Sequence, residues 1–393
     1  MQEINFGRQP RNSNIELLRI ISMLCIVAHH YAVHGFSGVE LDYSINRYVV
    51  GVFSLGGKLG VSCFILISGY FMVHSNITLR KLVKLIAEVW FYSVGIAVLF
   101  LVVMTPVEPL GMKDLIKAIV PIGYATYWFM TDYVILMLIS PILNILLEKM
   151  SRNLHRNVIL LFVVIWSVVP SFTEAGYGYN DLSWFVVLYF IAGYIRKYIS
   201  VSEGNSTKHL LVAGISYLTV VLFEVFLTWA DNRYHINVLS LHVPRLSLLN
   251  SPFVLLTSVE LLIGSVKMKR HEYAWINKLA SATLGVYLIH DNNMLRPYLW
   301  HTVLKTDIMY SSRLLIVHAL LSVMGVYIVC TCIDLIRQRV VERLFLVFLD
   351  RYLQRIENGL KHFGKYIENK GQIFLHSYYG SDLFDSVKYE TKK

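Results

Sequence analysis

Two residues in one apolar stretch carry the first chemistry visible in this chain. In NIELLRIISMLCIVAHHYAVHG, residues 14–35, Arg19 and His30 stand ten residues apart. Eleven steps of about 100° bring both side chains to one face of a helix, with a rise of roughly 16 Å between them. Ionisable groups at membrane depth are costly and are usually kept for function. A fixed cation at one mouth and an imidazole deep inside suit a phosphate-bearing ligand that enters reactive end first. Arginine meets phosphate with a planar fork of donors, and histidine is the common general base near neutral pH. Plainer readings stand beside this one. Arg19 could snorkel to lipid headgroups, and His30 could simply hydrogen-bond a neighbouring helix. Glu16, one turn before Arg19, could orient it as an i,i+3 pair or sit solvated at the helix start. His29 points about 100° away from His30 and reads as packing or support.

These residues need elements to hold them, and composition says which kind. Hydrophobic residues make up 55% of the chain and charged residues only 16%. A soluble globular protein has about 25% charged residues, so the composition fits an all-α protein that crosses the membrane many times. The net charge of +10 is spread over short clusters between apolar runs. That is the pattern of the positive-inside rule and not of a nucleic-acid surface.

A spanning helix needs about 20 mainly apolar residues. About ten segments qualify, near 15–34, 48–73, 82–104, 124–147, 157–172, 182–199, 209–230, 248–267, 276–295 and 312–336. Basic clusters recur in alternate loops: Arg8 and Arg11; Arg80, Lys81 and Lys84; Lys149, Arg152 and Arg156; Arg196 and Lys197; Lys267, Lys269 and Arg270; Arg337, Arg339 and Arg343. The intervening FTEAGYGYND, 172–181, has no Lys or Arg. These clusters share one side if both termini are cytoplasmic, although Lys113 and Lys117 fit the pattern poorly. Residues 1–13 then form a cytoplasmic N-terminus without a cleavable signal, and 14–336 form the membrane domain. In the tail, 337–393, Val341, Leu344, Phe345, Phe348, Tyr352, Ile356, Leu360 and Phe363 make an apolar stripe flanked by Lys and Arg. It reads as an amphipathic helix on the membrane surface or packed on the protein's own loops.

At this point the chain resembles the acyltransferase-3 family of integral-membrane acyltransferases. Arg19 and His30 match its Arg, ten residues, His hallmark. GGKLGVSCFILISGYFM, 56–72, is similar to its glycine-rich helix ending in Ser-Gly-aromatic, here Ser68, Gly69 and Tyr70. LRKLVK, 79–84, resembles its basic motif, with Lys81 and Lys84 where arginines are usual and Arg80 beside them. YWFMTDYVILMLISPIL, FVVLYFIAGYI and LGVYLIH resemble later elements, the last of them containing Tyr287 and His290.

The resemblance covers about residues 12–336. It implies acyl transfer, commonly acetyl from acetyl-CoA, to a hydroxyl of a surface polysaccharide or lipid-linked saccharide at the bacterial inner membrane. The donor's phosphates would meet Arg19, Arg80, Lys81 and Lys84 near Ser68, Gly69 and Tyr70, and His30 would be the base. Direct transfer is expected, because no Ser or Cys nucleophile with a base is evident. A transporter or flippase for a lipid-linked saccharide is the alternative, although no internal repeat supports it. A non-catalytic scaffold is the third reading.

The remaining candidates have modest readings. Cys25, Cys63, Cys330 and Cys332 lie in apolar segments without metal-ligand spacing and read as buried thiols. Gly56 and Gly60 would let helices approach closely. GGKLG is not a phosphate loop, because no Ser or Thr follows the lysine. Lys58 could line a pore or snorkel outward. Trp128 and Asp132 share a face as a belt residue and an interhelical polar bond. Glu224 and Glu260 need partners within their spans. His290 and Asp291 could assist the acceptor or cap a helix. Sequons at Asn76 and Asn205 fall on the expected cytoplasmic side, where no glycan is added.

Overall fold

The computed structural model describes residues 11–37, 44–75, 77–103, 111–173, 177–199, 205–234, 246–353 and 355. Every element among them is helical. Seven helical runs are long and apolar enough to cross a membrane: Ser13–Gly35, Ile45–Met72, Leu79–Val103, Trp128–Lys149, Arg152–Phe172, Ser206–Tyr234 and Leu315–Leu353. The remaining three expected segments are helical as well, but shorter, more charged or broken. The chain is therefore a multi-pass α-helical membrane protein.

The first helix, α1 (Ser13–Gly35), starts at Asn12, whose side chain accepts from the Asn14 N–H. Glu16 in its first turn complements the helix dipole. The next span is made of α2 (Ile45–Ser54) and α3 (Gly56–Met72). Glycines on α3 explain its central place. A Cβ at Gly60 would stand 2.5 Å from the Ser22 carbonyl oxygen, and one at Gly56 would stand 3.0 Å from Cys25 Cβ. Only bare backbone lets α1 lie this close. Gly69 follows Gly60 by nine steps of about 100°, which turns it to the opposite face. There its Cβ would stand 2.9 Å from Ala192 Cβ. Thus α3 lies between two helices, and Ile65, Leu66 and Ile67 are fully buried.

The helix on that second face is α9 (Asp181–Tyr198). Between it and α3 the chain forms α4 (Leu79–Val103), α5 (Met112–Ile119), α6 (Trp128–Lys149), α7 (Arg152–Val163) and α8 (Val169–Phe172). A π-helical turn, Val164–Val168, separates the last two. Asn180 and Ser183 form a capping box at the start of α9 (Asp181–Tyr198). Its Trp184, Phe185, Leu188, Tyr189 and Ala192 are fully buried. Two long helices follow, α10 (Ser206–Tyr234) and α11 (Pro252–Lys267).

The ninth segment differs from the single helix expected near 276–295. It is split into α12 (Ala274–Ala280) and α13 (Thr283–His290). Ser281 Oγ donates to the Lys278 carbonyl at 2.6 Å, and Thr283 Oγ1 to that of Ala280 at 2.9 Å. Hydroxyls that take up backbone carbonyls compete with the helix ladder. Beyond His290 the Asn292 side chain accepts from the Met294 and Leu295 N–H groups, at 3.0 and 3.3 Å. That turn stops the helix. The short α14 (Leu295–Pro297), a π-helical turn at Tyr298–Val303 and α15 (Thr306–Met309) lead to α16 (Leu315–Arg337).

The start of α1 is tied to this ninth segment. Ser13 N–H donates to the His271 carbonyl at 2.9 Å, and Ser13 Oγ to Asn277 Oδ1 at 3.0 Å. Tyr273 N–H donates to Ser13 Oγ at 2.7 Å.

Residues from Ile336 onward make a separate unit. It contains a π-helical turn, Gln338–Glu342, with Arg337 Nη1 donating to Glu342 Oε2 at 3.1 Å. Val341, Leu344, Phe348 and Tyr352 are exposed. Ile356, Leu360 and Phe363 of the expected stripe lie outside the described residues, as does Asn76.

Candidate active site

Because α1 and α3 run antiparallel, the first spans have two distinct ends. Gly57 packs on His29, while Ser22 faces Gly60. His30 therefore belongs with the start of α3, and Arg19 with its finish.

His30 is buried, and its Nδ1 lies 2.9 Å from His290 Nε2. His290 is fully buried at the end of α13, and its Nδ1 meets the Val286 carbonyl one turn back. A carbonyl only accepts, so His290 carries its proton on Nδ1. The Nε2 of a neutral His290 is then an acceptor, and His30 must donate to it from Nδ1. This leaves the lone pair of His30 on Nε2.

Asp291 is 4% exposed and gathers the charges around this pair. Its Oδ1 lies 3.6 Å from His30 Nδ1, 3.6 Å from His34 Nε2 and 2.9 Å from Arg296 Nη2. His34 stands one turn beyond His30 on α1, with ring centroids 4.9 Å apart. Arg296 Nη2 also donates to the Asp291 carbonyl at 3.0 Å and to Asn293 Oδ1 at 3.0 Å, which holds the helix end in place. Further in, Asn292 Nδ2 donates to the Tyr127 hydroxyl at 2.7 Å, and that hydroxyl donates to the Leu288 carbonyl at 3.0 Å. The buried Tyr287 ring packs between Tyr127 and Phe129, at centroid distances of 5.9 and 5.7 Å.

The ligand atoms of His30, His34 and Asp291 all lie within 4.8 Å of one another, a donor set of the kind that binds divalent transition ions. Two of those atoms are already engaged. Arg296 bears on Asp291 Oδ1, and His290 on His30 Nδ1. The His30–His290 contact is a hydrogen bond, whereas Asp291 Oδ1 is held by ion-pair contacts alone.

The other residues singled out in the sequence surround this centre or mark the far end. His29 meets the Ser54 carbonyl through Nδ1 and turns aside from His290. Lys58 stands over the Trp128 ring, 4.8 Å from its centroid. At the far end Arg19 Nη1 donates to Glu16 Oε2 at 2.9 Å, and the Glu16 side chain is nearly buried. Gly69 meets α9, Ser68 is half-buried beside it, and Tyr70 is buried. Tyr70 OH accepts from Arg196 Nη1 at 2.9 Å. Arg80 and Lys81 are exposed at the start of α4, with Lys84 half-buried one turn on. His209 Nδ1 pairs with Glu260 Oε2 at 2.6 Å, and Thr228 donates to Glu224 Oε1 at 3.5 Å, so both carboxylates find partners within the bundle.

Sequence reasoning missed His34, Arg296 and the Tyr127–Asn292 lock. His34 had a signal, because it lies four residues after His30 and shares its face. Arg296 had none; its role comes from the turn that Asn292 makes.

A family model described as an acyltransferase domain matches residues 12–335. The chain belongs to the acyltransferase-3 family. No curated protein and no solved structure matches it. The matched region runs from the cap of α1 into α16, so it contains the whole His30–His290–Asp291 cluster and the Arg19 end. An acyltransferase-3 protein built of many apolar helices is a membrane acyltransferase. It works with an acyl donor, an acceptor and the lipid bilayer around it.

Proposed function

We propose that this protein is an O-acetyltransferase. It moves acetyl from acetyl-CoA to a hydroxyl of a surface polysaccharide or its lipid-linked precursor in a bacterial inner membrane. The observation that carries this reading is the histidine pair. A buried imidazole whose Nδ1 proton is committed to His290 keeps a lone pair on Nε2, as a general base requires.

His30 Nε2 takes the proton of the acceptor hydroxyl as its oxygen attacks the thioester carbonyl. The tetrahedral centre then collapses, the C–S bond breaks, and His30 Nε2 returns the proton to the departing CoA thiolate. No group remains on the protein. Asp291, 3.6 Å from His30 Nδ1, offsets the imidazolium charge while it lasts. Arg296 Nη2, 2.9 Å from Asp291 Oδ1, holds that carboxylate in place.

At the other end, Arg19 and the basic start of α4 hold the donor's phosphates on the cytoplasmic side. Glu16 fixes the Arg19 fork. The roughly 16 Å rise from Arg19 to His30 separates the nucleotide from the thioester. Lys58 and Trp128 stand beside the reacting end.

The test uses purified protein in nanodiscs with acetyl-labelled acetyl-CoA and a lipid-linked glycan extract. Release of CoA thiol and transfer of label are expected for wild type and lost in His30→Ala. A stable acetyl-protein adduct would overturn direct transfer. Absence of turnover across several extracts would overturn the function.

A further inference from the structure

We propose that Arg196, standing on Tyr70, receives a phosphate of the donor nucleotide. The inference rests on the acetyl-CoA reading and adds a phosphate subsite to it from α9.

Its position follows from packing. The contact of Gly69 with Ala192 sets the finish of α3 against the last turns of α9. Arg196 therefore emerges beside Ser68, Gly69 and Tyr70, at the same end of the bundle as Arg19. The Tyr70 side of the contact is rigid, because Tyr70 is 3% exposed. Its hydroxyl accepts from Arg196 Nη1 at 2.9 Å, and its ring centroid lies 4.7 Å from Arg196 Cζ. The guanidinium is thus held by a hydrogen bond and by a cation–π contact. A pre-organised planar fork is what phosphate recognition needs.

The charge balance points the same way. Arg19, Arg47 and Arg296 each pair with a carboxylate, from Glu16, Asp231 and Asp291. Among the described residues no carboxylate pairs with Arg196. A guanidinium has five N–H donors, and the tyrosine takes one of them. Arg196 as a whole is exposed. Neighbouring Lys197 shows what an ordinary helix-end cation does. Its Nζ donates to the carbonyls of Leu147, Glu148 and Met150 at the finish of α6, at 3.1, 3.4 and 3.4 Å. Among the described residues Arg196 makes no such contact. Lys81 and Lys84, on the basic start of α4, are compact point charges and cannot supply a bidentate fork.

A phosphate here can come from the donor nucleotide or from a lipid headgroup, and the experiment separates them. Steady-state transfer is measured for wild type, Arg196→Ala, Arg196→Lys and Tyr70→Phe in nanodiscs of zwitterionic and of anionic lipid. The donors are acetyl-CoA and S-acetylpantetheine, which has no phosphate. Arg196→Ala is expected to lower kcat/KM for acetyl-CoA about tenfold or more through KM, as for loss of a charge-assisted contact. The ratio for S-acetylpantetheine should fall less than twofold. Arg196→Lys should recover little, and Tyr70→Phe should lie between wild type and alanine. An equal fall with both donors would make the contact structural and overturn the proposal. An unchanged KM for acetyl-CoA, with a dependence on anionic lipid in wild type that the variant loses, would assign Arg196 to a headgroup and also overturn it. Failure of wild type to use acetyl-CoA would remove the function reading and the subsite together.

Discussion

His290 Nε2 stands 2.9 Å from His30 Nδ1, across 260 residues of sequence. Val286 fixes the proton on the far side of His290, so this contact also decides which nitrogen of His30 keeps its lone pair. His290 is thus a positioning residue for the proposed base.

Replacing the two histidines should give different losses. His30→Ala should lower kcat about 10²- to 10⁴-fold, the range for removing a general base. His290→Ala leaves the base present but free to rotate and to change tautomer, which should cost about 10²-fold in kcat. Donor KM should stay near wild type in both. Label-transfer kinetics are the measurement, and a His290→Ala enzyme with wild-type kcat would sink the tautomer argument.

Arg296→Met should strand Asp291. Its carboxylate is 4% exposed and would lose its nearest cation. Removing one partner of a buried pair costs about 3–5 kcal/mol. The Arg296 side chain is 26% exposed, so solvent screening brings the expected loss to about 1–3 kcal/mol. Adding Asp291→Asn should recover stability and not activity. Thermal unfolding in detergent together with turnover separates the two effects.

Arg19→Ala should raise the donor KM more than Glu16→Gln does. Arg19 is the proposed phosphate contact, whereas Glu16 only holds it, at 2.9 Å. Similar KM values for the two variants would mean that the pair acts as a structural clasp.

Gly60→Ala should destabilise the protein by about 1–3 kcal/mol, the cost of overpacking. The new Cβ would meet the Ser22 carbonyl oxygen at 2.5 Å, and backbone cannot swing aside. Gly95→Ala on α4 and Gly214→Ala on α10 provide the contrast. A Cβ at either position meets nothing within 4 Å, and each should stabilise its helix by about 0.5–1 kcal/mol. Unfolding temperatures of the three variants decide it.

How legible the site was depends on what each residue's role is made of. The shared face of Arg19 and His30 is a property of one helix, so spacing alone revealed it. The central place of α3 was half legible. Gly56 and Gly60 announced one close contact, but the second, Gly69 on Ala192, needed the position of α9. His290 could be named from its motif, whereas its bond to His30 joins elements far apart in sequence and has no local signature. The ninth segment, the least uniformly apolar of the ten, was read as one helix because its length and average hydropathy suffice for a span. The deciding atoms there are the hydroxyls of Ser281 and Thr283 and the amide of Asn292, which hydropathy does not weigh. Arg196 was counted only as loop charge, since nothing in its neighbourhood in the sequence mentions Tyr70.

The ties of Ser13 to residues 271–277 and of His30 to His290 give the bundle a seam. The first helix is fastened to the ninth segment at both heights, in the same order along each, and the proposed chemistry sits at the second fastening. During synthesis α1 enters the membrane long before its partner exists, and until then the imidazole at position 30 has no histidine beside it. A chain truncated before α13 lacks His290 and Asp291 and so has no partner for His30. Activity then reports that the last helices have arrived, and a two-fragment protein cut between α1 and α13 regains function only by rejoining along this seam.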